Sequence, residues 1–137
     1  AMLMGMAAAR STYHVTVGGL IDTLKSVKDK SNKVYVKTTY SEEYVGVTFG
    51  NSYRGYYSDF ALSPTPLAGP DCMDVDTLLS YLEDEVLDKT FCGYTGGDYV
   101  MSAETPLWFS EYGNCGEGII DTVEVGGATI LLCREVD

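Results

Sequence analysis

A chain of 137 residues with 45% hydrophobic residues is the size of one domain and can bury a core. Its 20 acidic and nine basic side chains give a net charge of −11, which excludes ordinary electrostatic binding to nucleic acid or to anionic membranes. With His14 as the single histidine, a Ser-His-Asp triad would rest on one residue, and a multi-histidine metal site cannot be built.

Residues 1–13, opening Ala1-Met2 and rich in alanine, are expected to form a loose extension ahead of one domain over 14–137. Met2 to Ala9 is short and lacks a basic leader, so it does not read as a secretory signal, and a cytoplasmic location follows as the expectation. Leu20, Ile21, Leu24 and Val27 then line one helical face and predict a helix near 17–29, capped by Thr16. Lys33 to Tyr40, Glu43 to Phe49 and Ser52 to Leu62 read as a three-stranded meander, with Gly50-Asn51 as a turn and Gly55 as a bulge. The run from Ser63 to Asp71 holds Pro64, Pro66, Gly69 and Pro70 and predicts the main connection. Asp74 caps a second expected helix over about 75–88, with Val75, Leu78, Leu79, Leu82 and Val86 on its apolar face. Its acids Asp76, Glu83, Asp84 and Asp88 read as a solvated face. Residues 91–118 are glycine-rich around one strand, Leu107 to Phe109, and Gly126-Gly127 joins a closing hairpin of Ile119 to Val125 and Ala128 to Val136.

The predicted class is α+β, a single domain in which two amphipathic helices pack on an antiparallel sheet of about five to seven strands. Val17, Leu20, Ile21 and Leu24 recur as Val75, Leu78, Leu79 and Leu82 at an offset of 58; two helix-plus-strands halves would explain this, but any two amphipathic helices share as much. Charge divides unevenly: residues 1–54 hold seven bases and four acids, whereas 55–137 hold two bases and sixteen acids. Cys72, Cys92, Cys115 and Cys133 form no C-x-x-C pair and are expected as free thiols, and no metal site or cofactor is expected. Asp71, Asp74 and Asp76 lack the glycine and distal glutamate of a calcium loop.

Three segments carry candidate binding residues. The run 52–59 holds Tyr53, Arg54, Tyr56 and Tyr57, where an arginine fork can grip a phosphate or carboxylate and tyrosine rings can stack on a base. The run 91–99 holds Tyr94, Gly96 and Gly97, whose backbone lets a ligand approach closely, although it lacks the G-x-x-x-x-G-K-[ST] of a phosphate loop. The run 105–116 holds Trp108, Tyr112 and Asn114, a combination suited to a recognition loop. Each has a plainer reading as sheet face, tight turn or core. No G-x-S-x-G occurs, and Cys92 and Cys115 have no neighbouring histidine, so no catalytic residue is assigned.

Together, SYRGYYSDFALSP at 52–64, FCGYTGGDYVM at 91–101 and TPLWFSEYG at 105–113 resemble a family of small accessory proteins of bacteriophages and prophages. That family's pattern runs roughly S-Y-R-G-x-Y, G-Y-K-G-G-x-Y and T-P-x-W-x-x-x-Y-G, and the likeness covers about residues 14–125. Thr95 stands where the pattern has lysine, which weakens a phosphate-gripping role for the glycine turn. The resemblance implies a viral protein made in the bacterial cytoplasm for immune evasion. It would act by binding, against a bacterial defence component or its nucleotide signal, with no direct nucleic-acid or membrane partner and with a homo-oligomer as a further expectation. In one mechanism a pocket around Tyr53, Arg54, Tyr56 and Tyr94 sequesters a nucleotide-like signal. In the other, the acidic surfaces of 71–88 and 98–124 mimic nucleic acid and occupy the basic groove of a nuclease or CRISPR effector. An enzyme hydrolysing a small ester or nucleotide is a third class, without an identified nucleophile and base.

Overall fold

The apolar periodicity and the two capping residues place the helices. In the computed structural model, which describes residues 15–37, 43–52, 60–92, 97–110 and 117–135, α1 spans Val17–Ser26 and α2 spans Val75–Tyr81. Thr16 Oγ1 accepts from the Gly19 N–H at 3.0 Å, and Asp74 Oδ1 accepts from the Thr77 N–H at 2.8 Å, so each cap satisfies a donor that the helix leaves unpaired. At its far end α1 presents carbonyls to Lys30, whose Nζ donates to the Lys25 and Val27 oxygens. Helix α2 continues as a π-helical turn over Leu82–Val86. The extra residue of that turn rotates Glu83, Asp84 and Glu85 outward and Val86 into the core.

The strands are β1 (Val34–Lys37), β2 (Val45–Ser52), β3 (Phe60–Thr65), β4 (Thr90–Cys92), β5 (Asp98–Val100), β6 (Leu107–Ser110), β7 (Glu117–Val125) and β8 (Thr129–Glu135). Six of them close into a barrel in the order β1-β2-β3-β6-β7-β8, while β4 and β5 form a separate hairpin. The α+β single domain is as read from sequence, but the sheet is mixed. The β3–β6 and β8–β1 pairs are parallel, and the other four are antiparallel. The cause is topological: two up-down-up meanders placed edge to edge can close a ring only where like-directed strands meet.

The two halves match in detail. Val15, Val17 and Gly18 donate backbone bonds to Ile120, Thr105 and Ala103, and Met73, Val75 and Asp76, each 58 positions on, donate to Val47, Asn32 and Lys30, each 73 positions earlier than the first set of acceptors. Leu107 N–H donates to the Val15 oxygen as Val34 N–H donates to the Met73 oxygen. Phe60, Ala61 and Leu62 pair with Leu107, Trp108 and Phe109 as Thr129, Ile130 and Leu131 pair with Val34, Tyr35 and Val36. The change of offset from 58 to 73 is taken up by the extra length around the β4–β5 hairpin, which has no counterpart between α1 and β1. The periodicity of the helices is therefore one part of an approximate twofold relation.

If the end where β1 begins is the lower one, then β1, β3, β6 and β8 run upward and β2 and β7 downward. Met73 enters between the start of β1 and the upper half of β2, at Val34 and Val47, and Val15 enters between β6 and β7. Each helix thus starts at the lower end against one half and returns to the first strand of the other. Their apolar faces join Val34, Val36, Val47, Phe60, Leu62, Leu107, Phe109, Ile120 and Leu131 in one core. The helices also meet each other, and Lys25 Nζ lies 3.2 Å from Glu83 Oε2 at twofold-equivalent positions.

Several elements depart from expectation. Gly50 and Asn51 continue β2 instead of turning, because the irregularity falls one residue earlier, between Thr48 and Gly50. A Cβ on Gly50 would sit 2.0 Å from the Ala61 carbonyl oxygen, so glycine serves close strand approach there. The expected strand over 52–62 becomes β3, which runs through Pro64 to Thr65; the β3–β6 ladder ends at Leu62, so the missing proline N–H is tolerated. The expected Gly55 bulge lies outside the described residues. Within 91–118 the sequence reading contained one strand, and the structure adds β4 and β5. Cys72, Cys92 and Cys133 form no disulfide, the first and last of them buried and Cys92 exposed, while Cys115 lies outside the described residues.

Candidate functional site

The lower end of the barrel is built around four aromatic rings. Phe49, 57% exposed, meets Tyr81 edge to face at 5.1 Å and 78°. Tyr81 lies 6.4 Å from Phe60, and Phe60 meets Phe91 at 5.1 Å and 68°. Such geometries contribute beyond simple burial. Tyr81 Oη accepts from the Gly50 N–H at 3.0 Å and donates to the Gly50 oxygen at 3.3 Å, which pins α2 to the irregular part of β2. Burial raises the Tyr81 pKa above its ordinary value; the hydrogen bond from Gly50 works the other way and the charge of Glu85 reinforces the rise.

Phe60 and Phe91 also relate two of the candidate segments. Tyr53, Arg54, Tyr56 and Tyr57 belong to the connection between Ser52 and Phe60, strand partners at the lower end, and themselves lie outside the described residues. Tyr94 and Gly96, also outside them, fall in the sequence between β4 and β5, whose rungs are Thr90–Val100, Phe91–Tyr99 and Cys92–Asp98. Gly97 is described: its φ of +84° is a left-handed conformation that side chains rarely adopt. Asp88, with φ of 62°, ends the helical segment in the same region of backbone space. Its N–H donates to the Met101 oxygen at 2.6 Å, and the Met101 N–H donates to Lys89, so the hairpin leaves the helix with its base already paired.

Trp108 is 4% exposed, on β6 beside Ala61 of β3, so its ring is part of the packing. Tyr112 and Asn114 lie outside the described residues, between Ser110 and Glu117, which flank the upper end of the β6–β7 pair. The strand ends flanking 53–59 and those flanking 111–116 are thus at opposite ends of the barrel. Phe60, which follows the first segment, meets Phe91, which opens the second.

No family model, curated protein or solved structure matches this chain. Its chemistry is therefore argued from its own residues.

One concavity was not anticipated from sequence. A cleft of about 260 Å³ is lined by Lys33, Phe49, Pro70, Asp71, Cys72, Met73, Asp74 and Thr77. Lys33 Nζ donates to the Cys72 oxygen at 3.0 Å, and Asp74 is committed to its cap. The sequence signal was present in Asp71 and Asp74, but the pairing of Lys33 with Asp74 that gathers them is long-range. Among the described residues, no group of three or more His, Cys, Asp or Glu is placed to hold a metal ion. No helix among them is long and apolar enough to cross a membrane.

Proposed function

We propose that this chain is a binding protein that takes up a small nucleotide-like ligand at the lower end of the barrel, between the segments 53–57 and 94–97. The observation that carries this reading is the Phe60–Phe91 contact at 5.1 Å, which ties the strand following the first segment to the hairpin bearing the second. Arg54 would hold a phosphate through its two-pronged guanidinium, the tyrosines would stack on a base, and the backbone around Gly96 and Gly97 would let the ligand approach. Lys89, exposed at the base of the hairpin, adds positive charge in an otherwise acidic half. The resemblance to phage accessory proteins gives the setting: sequestration of a signal used by a bacterial antiviral defence, by binding and without turnover.

The test is mass spectrometry of small molecules released by heating protein purified from bacteria with an active nucleotide-signalling defence. A released nucleotide is the expected result, and Arg54→Ala is expected to abolish its uptake while leaving the protein folded. Undiminished uptake by a folded Arg54→Ala protein refutes the assignment. The nucleic-acid-mimic reading is favoured by one observation, the exposure of Asp76, Glu83, Asp84, Glu85 and Asp88 along α2 and its π turn. It predicts a complex with a basic protein that weakens steeply with added salt, and a salt-insensitive complex refutes it.

A further inference from the structure

The bonds that seat each helix are made to the opposite half. Residues 15–18, leading into α1, donate to β7 and to the turn before β6, and residues 73–76, leading into α2, donate to β2 and to the turn before β1. The parallel β3–β6 and β8–β1 seams also join first half to second. So do the Lys25–Glu83 ion pair, the Tyr81–Gly50 hydrogen bonds and the Phe60–Phe91 contact. The halves connect through 66–71, a compact turn in which the Gly69 N–H donates to the Pro66 oxygen at 2.9 Å and the Cys72 N–H to the Gly69 oxygen at 3.3 Å.

We propose that this seam is also an interface for a second copy of the chain. Residues 15–65 of one copy would close a barrel with residues 72–135 of another, and the reverse, giving a dimer of two exchanged barrels. Every contact named above is satisfied equally within or between chains, so opening the 66–71 turn is the main local change. Protein concentration then sets the balance between the two forms. Where the proposed ligand site holds, a further consequence follows. Segment 53–57 belongs to the first half and 94–97 to the second, so each site in the dimer would be composed from both copies. That last step rests on the ligand reading, whereas the exchange does not.

The experiment refolds an equal mixture of unlabelled and isotopically labelled full-length chain from denaturant at high and low protein concentration, with native mass spectrometry as the readout. The expected result is a dimer at high concentration with light, mixed and heavy species near 1:2:1, as statistical pairing requires, persisting for hours after dilution because separation needs the barrels to open. Mixing the two pools already folded is expected to yield no mixed dimer on that timescale. Deleting Leu67, Ala68 and Gly69 is expected to raise the dimer fraction at least tenfold, because the shortened turn strains the closed monomer. Refolding of the native chain to monomer alone at high concentration overturns the proposal. Rapid appearance of mixed dimers from folded pools overturns it too, since that marks a surface dimer. No ligand enters either readout, so failure here is distinct from failure of the nucleotide reading.

Discussion

Replacing Tyr81 by Phe removes one oxygen and two hydrogen bonds while leaving the ring in place between Phe49 and Phe60. The lost bonds, to the Gly50 N–H at 3.0 Å and the Gly50 oxygen at 3.3 Å, contribute about 1 kcal/mol each in a typical setting. The expected loss is therefore about 2 kcal/mol, or about 8 °C in Tm for a domain of this size. Denaturant titration at pH 7 measures it, with an unchanged m-value as the sign that the fold is the same. The same variant has an alkaline signature. The folded pKa of Tyr81 is raised, chiefly by burial, so the folded state retains the proton that the unfolded chain releases. Its contribution is present in full below the unfolded pKa of about 10 and is lost as pH rises through the folded value. The difference in stability between the native chain and Tyr81→Phe should shrink above about pH 10. A variant within about 0.5 kcal/mol of the native chain at pH 7, or a difference independent of pH up to about 11, would refute the role given to this hydroxyl.

Gly50→Ala places a Cβ 2.0 Å from the Ala61 oxygen, a backbone atom that cannot swing aside; it should cost about 3 kcal/mol or more and lower the denaturant midpoint accordingly. A variant as stable as the native chain would show that β2 and β3 separate freely there. Thr129 is fully buried and its Oγ1 has no hydrogen-bond partner among the described residues, so Thr129→Val should stabilise the fold by about 1 kcal/mol. A thermal shift downward would mean that the hydroxyl is satisfied in solution. Asp74→Ala removes the cap on Thr77 and should lose about 1 kcal/mol; Asp74→Ser should recover most of it, and failure to do so would remove capping as the cause.

The helices were legible because their signals are local. Thr16 and Asp74 cap where expected, and the apolar spacing of each segment tells which side faces the core. The fine structure beyond Tyr81 was not, since a π turn differs from an α-helix by one residue that no spacing rule marks. Gly50-Asn51 misled for a related reason. Both residues suit a turn, but here glycine answers a neighbour eleven positions away, Ala61, and only the paired strands reveal that need. Barrel closure was hidden in the same manner, because Val34 and Thr129 carry no sign that they are partners. The offset of 58 in the helices was the one readable trace of the twofold arrangement. Of the candidate site, the contact of Phe60 with Phe91 is long-range and was invisible to a reading that treats 52–59 and 91–99 as separate strings.

The pairing of β1 with β8 bears on how the chain is made. Of the six barrel strands a ribosome delivers β1 first and β8 last, and the interval between Val34 and Thr129 corresponds to about 5 to 20 s of synthesis at the usual 5–20 residues per second. Throughout that time the outer edge of β1 has no partner from its own chain and is open to chaperones or to a neighbouring nascent chain. Closure therefore waits until β8 has been made, and loss of that strand would leave the other five as an open sheet with two unpaired edges.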